Sequence, residues 1–472
     1  MRHAVRRSPK TTQKNASTSK TASRTAARAA GAVLALALVG ATAACGGNGS
    51  DDASGGATTI DYWLWDDNQT ASYQACADAF HAANPKITVK ITQTAWNEYW
   101  QNLTTQLASG SAPDVWTDQA SYYPQFATSN QILDIQSYVD RDKVDLSQYQ
   151  NGLADLWVKD GKRYGLPQDW DTMALVYNTT LLSRQGIDAS ALTHLTWNPD
   201  DGGTLEQTIA KATVDSHGRN GLDPAFDKNH VKVYGFLPEW ADGSQGQNGW
   251  GVLAAGNGFS FVDKNPWGTH YNYDDPKLAA TIDWFKHLID KGYAPKFDAQ
   301  STLGRDAVMD AGQGAITLAG SWTINSYLSP TAKQKYAFAP LPVGPAGRKT
   351  PINGLSDAIY AGTKHKEQAW SWVKFLGSSA CQDLVAKNAV VFPAIKEASA
   401  KALAAHRAKG QDAHVFTDEA AAPGGTFFLP VTDHGNEISQ TVQDAIQSVI
   451  LGKSDAASAL KKANDTVNAM FQ

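Results

Sequence analysis

Residues 58–91 read TTIDYWLWDDNQTASYQACADAFHAANPKITVKI, and their order decides the fold class. The β-branched and aromatic run 58–65 has the composition of a strand and stops at Asp66-Asp67-Asn68. Residues 69–83 then read as a helix closed by Asn84-Pro85, and 87–91 as a second strand. After that, Trp96, Trp100, Leu103 and Leu107 recur at helical spacing, with Gly110 as a stop and Pro113 beyond it. Strand, helix, strand, helix predicts an α/β fold.

The alternation continues outward from this stretch. Tyr164-Gly165-Leu166-Pro167 leads into a strand-like run at 174–178. Leu278, Ile282, Phe285 and Ile289 form an amphipathic face after Pro276, and Gly292 ends that helix. Residues 314–318 read as a short buried strand before the turn Ala319-Gly320-Ser321-Trp322, and Ile438, Val442, Ile446 and Val449 form a further apolar stripe. No tandem repeat is present.

The amino-terminal end has a different character. Arg24 and Arg28 precede an apolar run at 29–39, too short to span a bilayer, and small residues Ala41-Thr42-Ala43-Ala44 stand directly before Cys45-Gly46-Gly47. This order resembles a bacterial lipoprotein signal, with Thr42 where the pattern prefers Leu. The resemblance implies that 1–44 is a signal peptide, that Cys45 carries the lipid, and that the protein is held at the outer face of the cytoplasmic membrane. Residues 45–58 are small and polar and read as a flexible tether.

The whole chain of 472 residues has a formal net charge of −5. Residues 1–44 hold eight of the 41 Lys and Arg and no acid, so the remainder sets 33 basic residues against 46 acidic ones, a charge of −13. Such a balance argues against nucleic acid or an anionic lipid surface as partner. The 428 residues from Cys45 onward exceed what one hydrophobic core supports, which predicts two lobes. Beyond Cys45 only Cys76 and Cys381 remain, enough for one disulfide or none.

Ordered segments over nearly the whole remaining chain resemble the extracellular solute-binding proteins of ABC importers, in the branch that takes carbohydrates. The segments are 80–91 (FHAANPKITVKI), 107–116 (LASGSAPDVW), 164–182 (YGLPQDWDTMALVYNTTLL), Thr196-Trp197, 275–295, 306–322 (DAVMDAGQGAITLAGSW), 339–363 and 367–377. The resemblance implies a two-lobed, periplasmic-binding-protein-like (type II) α/β fold with hinge strands and ligand held in the cleft between lobes. On that analogy lobe one takes 59–167 and 352–388 and lobe two takes 168–351 and 389–472, with a helical crossover near Phe392-Pro393. The implied partners are a carbohydrate and an ABC permease, the chain itself being a monomer without cofactor or metal.

A sugar offers a weakly polar C–H face and a rim of hydroxyls, so its site needs aromatic planes and hydrogen-bonding acids or amides. Several of the fifteen Trp stand beside such residues at the ends of predicted elements: Trp65 with Asp66, Trp116 near Asp118, Asp169 with Trp170, and Glu239 with Trp240. Strand-end loops of open α/β sheets line the ligand crevice. The ligand-contact candidates are Trp65, Asp66, Asp118, Tyr122, Asp169, Trp170, Trp240, Trp250, Trp322, Asn353 and His434; Trp322, Asn353 and His434 rest on their match to family segments. Trp63, Trp100, Trp284, Trp370 and Trp372 are expected in the core instead.

Other readings have weaker support. A secreted glycoside hydrolase would also combine carboxylates and tryptophans, but spacing in sequence identifies no catalytic pair. No Gly-x-Ser-x-Gly or His-Glu-x-x-His motif occurs. The same fold with a peptide or polyamine ligand is the nearer alternative. The number of aromatic candidates favours an oligosaccharide over a monosaccharide, because each ring needs its own stacking surface.

Overall fold

A computed structural model describes residues 57–472 except 151, 241–244 and 300–303. The signal peptide, Cys45 and most of the tether lie outside the described residues. The expected strand-helix-strand-helix opening is present as β1 (Thr58–Leu64), the helix Asp67–Ala83, β2 (Ile87–Gln93) and the helix Trp96–Ser109. β3 (Val115–Gln119) follows, and β1 pairs in parallel with both β2 and β3.

A short hairpin, β4 (Val158–Lys159) and β5 (Lys162–Arg163), precedes the run that joins the two halves. β6 (Pro167–Asp171) and β7 (Met173–Asn178) are separated only by Thr172 but belong to different sheets. β8 (Val214–Asp215), β9 (Val231–Leu237), β10 (Gly314–Gly320) and β11 (Tyr336–Ala339) complete the sheet of β7, in the order β11-β7-β10-β9-β8. β12 (Thr350–Ile359), β13 (Phe392–Pro393) and β14 (Thr426–Phe428) return to the other sheet, whose order is β13-β6-β12-β3-β1-β2 with β14 also on β12.

Each sheet has its own core. Ile60, Tyr62, Val115 and Ile359 of the first pack with Trp370 and Trp372 of the helix Lys366–Leu376. Leu175, Phe236, Ile316 and Leu318 of the second pack with Ile282 and Phe285, and with Ile438, Val442 and Ile446 of the helix Gly435–Ile450. Fully burying one such side chain contributes about 1.5–3 kcal/mol. Of the tryptophans expected in the core, Trp100, Trp284, Trp370 and Trp372 are buried; Trp63 is half-buried against Tyr99.

Cys76 and Cys381, whose pairing the sequence leaves open, form a disulfide between the helices Asp67–Ala83 and Ser379–Asn388. Phe392-Pro393, expected as part of a helical crossover, is a strand paired with Trp170 and Asp169 of β6. The Phe392 ring lies stacked on Trp170 at 5.2 Å, a non-local contact that holds this segment extended. The helix after it, Lys396–Ala408, packs Ala398 and Ala402 into the aromatic cluster behind the first sheet.

Candidate functional site

The parallel strands β1, β2 and β3 end along one edge of the first sheet. β12 runs antiparallel to both β3 and β6, so β6 ends there too. Carboxylates and rings collect along that edge. At the end of β1, Asp66 caps the helix Asp67–Ala83: its carboxylate accepts from the Asn68 N–H at 2.9 Å, from Asn68 Nδ2 at 3.1 Å and from Gln69 Nε2 at 3.0 Å. Burial raises its pKa. Trp65 is half-buried and meets Trp96 and Tyr99 edge-on, with centroids 5.2 Å apart in both cases. Tyr122 is buried with its ring stacked on Trp100 at 3.9 Å.

At the end of β3, Asp118 has no solvent exposure. Its Oδ1 accepts from the Gln119 N–H at 2.9 Å, while Oδ2 has no partner among the described residues. Asp169 on β6 is 2 % exposed, also with an unpartnered Oδ2. Burial pushes both carboxyls well above the ordinary range; on Asp118 the Gln119 N–H and the Trp116 indole act against it and Asp357 adds to it, while on Asp169 the carboxylates of Asp171, Asp357 and Asp66 push further. Trp170, next to Asp169 in sequence, is buried, its Nε1–H donating to Ser399 Oγ at 3.2 Å.

Asp171, at the last position of β6, joins elements from both sides of the crossing. Gln247 Nε2 donates to its Oδ1 at 2.7 Å, and Asn353 Nδ2 of β12 to its Oδ2 at 3.3 Å. Burial raises this carboxyl strongly, and the two amides act in the opposite direction. Asp169 and Trp170 are among the sequence-based candidates, and Asp171, next in the chain, is not. Asp171 and Gln247 are therefore additions from the structure; the sequence signal for Asp171 is only its place in the acidic, aromatic run with Asp169 and Trp170.

Trp322 follows β10 on a single 3-10 turn and packs against the cores of both sheets. Its ring lies so close over Gly320 that a Cβ there would stand 1.8 Å from it, so this approach requires glycine. Ser321 beside it donates its N–H to Thr172 O, while its buried hydroxyl has no partner among the described residues. This brings Trp322 next to the crossing that carries Asp171.

The other candidates sit further into the second half. Trp240 is edge-on to Phe285 with its Nε1 unpartnered among the described residues, and Trp250 starts the helix Trp250–Gly256 buried against Phe261. His434 adopts a left-handed conformation (φ 62°) before the helix Gly435–Ile450, edge-on to Phe471. Gly435 places that helix against the carbonyl of Ser121, just past β3. On the same flank, Lys159 Nζ lies 2.9 Å from Asp433 Oδ2 and over the ring of Trp267, whose Nε1–H donates to Val158 O.

A separate hollow of about 350 Å³ is lined by Phe259, Phe261, Asp263, Lys349, Phe427 and Phe428, and includes none of the candidates. Among the described residues no group of three or more His, Cys, Asp or Glu could hold a metal ion, and no helix is long and apolar enough to cross a membrane.

Two α/β sheets, each with its own core, joined by crossing strands that carry buried polar groups, define a two-lobed binding protein. The chain belongs to the bacterial extracellular solute-binding proteins, whose family pattern matches residues 75–417. It is a binding protein rather than an enzyme, and it works outside the cytoplasm. It is 26 % identical to the diacetylchitobiose binding protein DasA of Streptomyces coelicolor, over 88 % of this chain and 92 % of that one. It also resembles an ABC substrate-binding protein from Listeria monocytogenes solved in complex with cycloalternan (TM-score 0.74, 22 % identity, 88 % of this chain and 99 % of that one). The GacH receptor of Streptomyces glaucescens is similar too (TM-score 0.71, 20 % identity, 87 % and 97 %).

Proposed function

We propose that this chain captures a carbohydrate between its lobes and delivers it to an ABC import permease, while a lipid on Cys45 tethers it to the outer face of the cytoplasmic membrane. One observation carries the ligand class. Carboxylates with oxygens lacking donors among the described residues, Asp118 and Asp169, lie along the sheet edge where Trp65 stands, with Trp322 beside the adjoining crossing. Sugar hydroxyls supply the missing donors, and a hydrogen bond to a charged group contributes about 1.5–3 kcal/mol. The indole of Trp322 takes a sugar face, Asp66 and Asn353 flank the path, and Tyr122 and Trp170 hold their neighbours in place. Trp240, Trp250 and His434 contribute from the second lobe. The relatives support the class, since DasA is named for a chitin disaccharide.

In this reading the lobes divide between 167 and 172, where β6 passes into β7, again near 352, and a third time after 388. Ligand selects the closed arrangement, which the permease then reads.

A second reading is favoured by one observation: the charges acting on Asp169 are Asp171, Asp357 and Asp66, all of one sign. A polyamine would neutralise them. A thermal-shift screen of the purified protein against sugars, polyamines and short peptides tests both. A native-state ligand at 100 times its dissociation constant adds about 2.7 kcal/mol. A saturable shift with a sugar, weakened well over tenfold by Trp322→Ala, is the expected outcome; a shift with polyamines alone overturns the carbohydrate assignment.

A further inference from the structure

Trp96 belongs to no candidate set above, yet it stands at the outer end of the same sheet edge. The strands along that edge follow one another as β6-β12-β3-β1-β2, so β6 and β2 are four strand spacings apart, roughly 19 Å. Asp169 and Asp171 mark the β6 end of this line, Asp118 lies on β3, Trp65 and Asp66 follow β1, and Trp96 follows β2. The loops after β1 and β2 are tied side by side: the Thr94 N–H donates to Leu64 O at 3.1 Å, and Gln93 Nε2 donates to Trp65 O at 2.9 Å.

The two outer rings are half-buried and nearly perpendicular, at 75° with centroids 5.2 Å apart. Trp96 meets Trp100 and Tyr122 at 88°, so none of these rings is stacked parallel on it. Trp100 differs: its ring lies parallel to Tyr122 at 5° and 3.9 Å. Trp65 and Trp96 pack edge-on or tilted on Trp100 and keep part of their indole surface exposed, and it is that exposed apolar surface at the sheet edge that the C–H face of a pyranose needs.

We propose that Trp96, together with Trp65, forms the outermost subsite of the cleft and takes the third or fourth ring of an oligosaccharide whose first ring lies at the Asp169–Asp171 end. A pyranose unit advances by about one strand spacing, roughly 5 Å, so the edge accommodates roughly four rings. The proposal rests on the carbohydrate reading and adds chain length and direction to it. A merely structural Trp96 would anchor the start of its helix and serve every ligand equally.

Calorimetric titration of the wild type, Trp96→Ala and Trp96→Phe with maltooligosaccharides and chitooligosaccharides of one to five units separates these cases. Wild-type affinity should rise with length up to three or four units in the series that binds. Trp96→Ala should lose about tenfold on those longer oligomers and stay within twofold on the disaccharide, with Trp96→Phe between the two. Equal loss at every length, or no loss at any, overturns the subsite while the carbohydrate reading stands. Absence of wild-type binding to both series, with a ligand of another class found, overturns both.

Discussion

Asp215 and Asp169 are both shielded from solvent, and the molecule treats them in opposite ways. Asp215 ends β8 and accepts from the backbone N–H groups of His217, Arg219 and Asp227 at 2.8, 2.9 and 3.0 Å, and from Arg219 Nε at 2.8 Å. Burial works to raise its pKa, but these bonds hold the carboxyl well below the ordinary range. Asp169 has an unpartnered oxygen and three carboxylates acting on it, and its pKa is pushed well up. A buried polar group without its hydrogen bonds costs free energy, so the first arrangement serves the fold, and the second leaves an acceptor open where we propose that a ligand donates.

The largest expected effect is at Asp171, which couples the crossing strand to Gln247 and Asn353. Asp171→Asn should weaken ligand binding by about a hundredfold, since hydrogen bonds to a charged acceptor contribute about 1.5–3 kcal/mol each. Calorimetry with the ligand found in the thermal-shift screen checks this. An unchanged dissociation constant would remove the crossing from the site.

Asp169 and Asp215 then separate function from stability. Asp169→Asn should weaken binding about tenfold and raise the melting temperature of the unliganded protein at pH 8, because it removes a buried charge that lacks a partner. Asp215→Asn should do the reverse, lowering the melting temperature by several degrees while the dissociation constant stays within twofold. If Asp169→Asn lowers the melting temperature and leaves binding intact, the two carboxylates are of one kind and the comparison fails.

Much of this arrangement is legible in the chain because its causes are local. The run 58–64, the stop at Asn84-Pro85 and the small residues before Trp322 declare strand, helix end and turn without reference to distant partners. The contacts that decide individual side chains are not local. Trp170 is set by Phe392, which is held as a strand only because β6 offers it an edge. Trp240 and Trp250 stand beside acids, amides or glycines in the chain, but how far each is buried is set by Phe285 and Phe261, which sequence does not place beside them. Asp171 and Asp169 share the period-two alternation of one strand, so sequence alone ranks neither; the partners Gln247 and Asn353 single out Asp171.

The smallest expected effect concerns Asp357, a third buried carboxylate, which sharpens the comparison because it is partnered yet uncompensated. Its Oδ1 accepts from the Tyr62 hydroxyl at 2.8 Å and from Gln168 Nε2 at 3.3 Å, and no cation neutralises it among the influences that set its pKa. Burial pushes its pKa up to about 7. A group raised in the folded state binds its proton more tightly there than in the unfolded chain, so its stabilising contribution is full below about pH 4 and is lost as pH rises through about 7. The unliganded protein should therefore melt a few degrees lower at pH 8 than at pH 5.5, and Asp357→Asn should flatten part of that slope. Differential scanning calorimetry across this range reads both. A slope unchanged in Asp357→Asn but flattened in Asp169→Asn would assign the pH dependence to the cleft carboxylates, making ligand binding and proton release a single coupled event there.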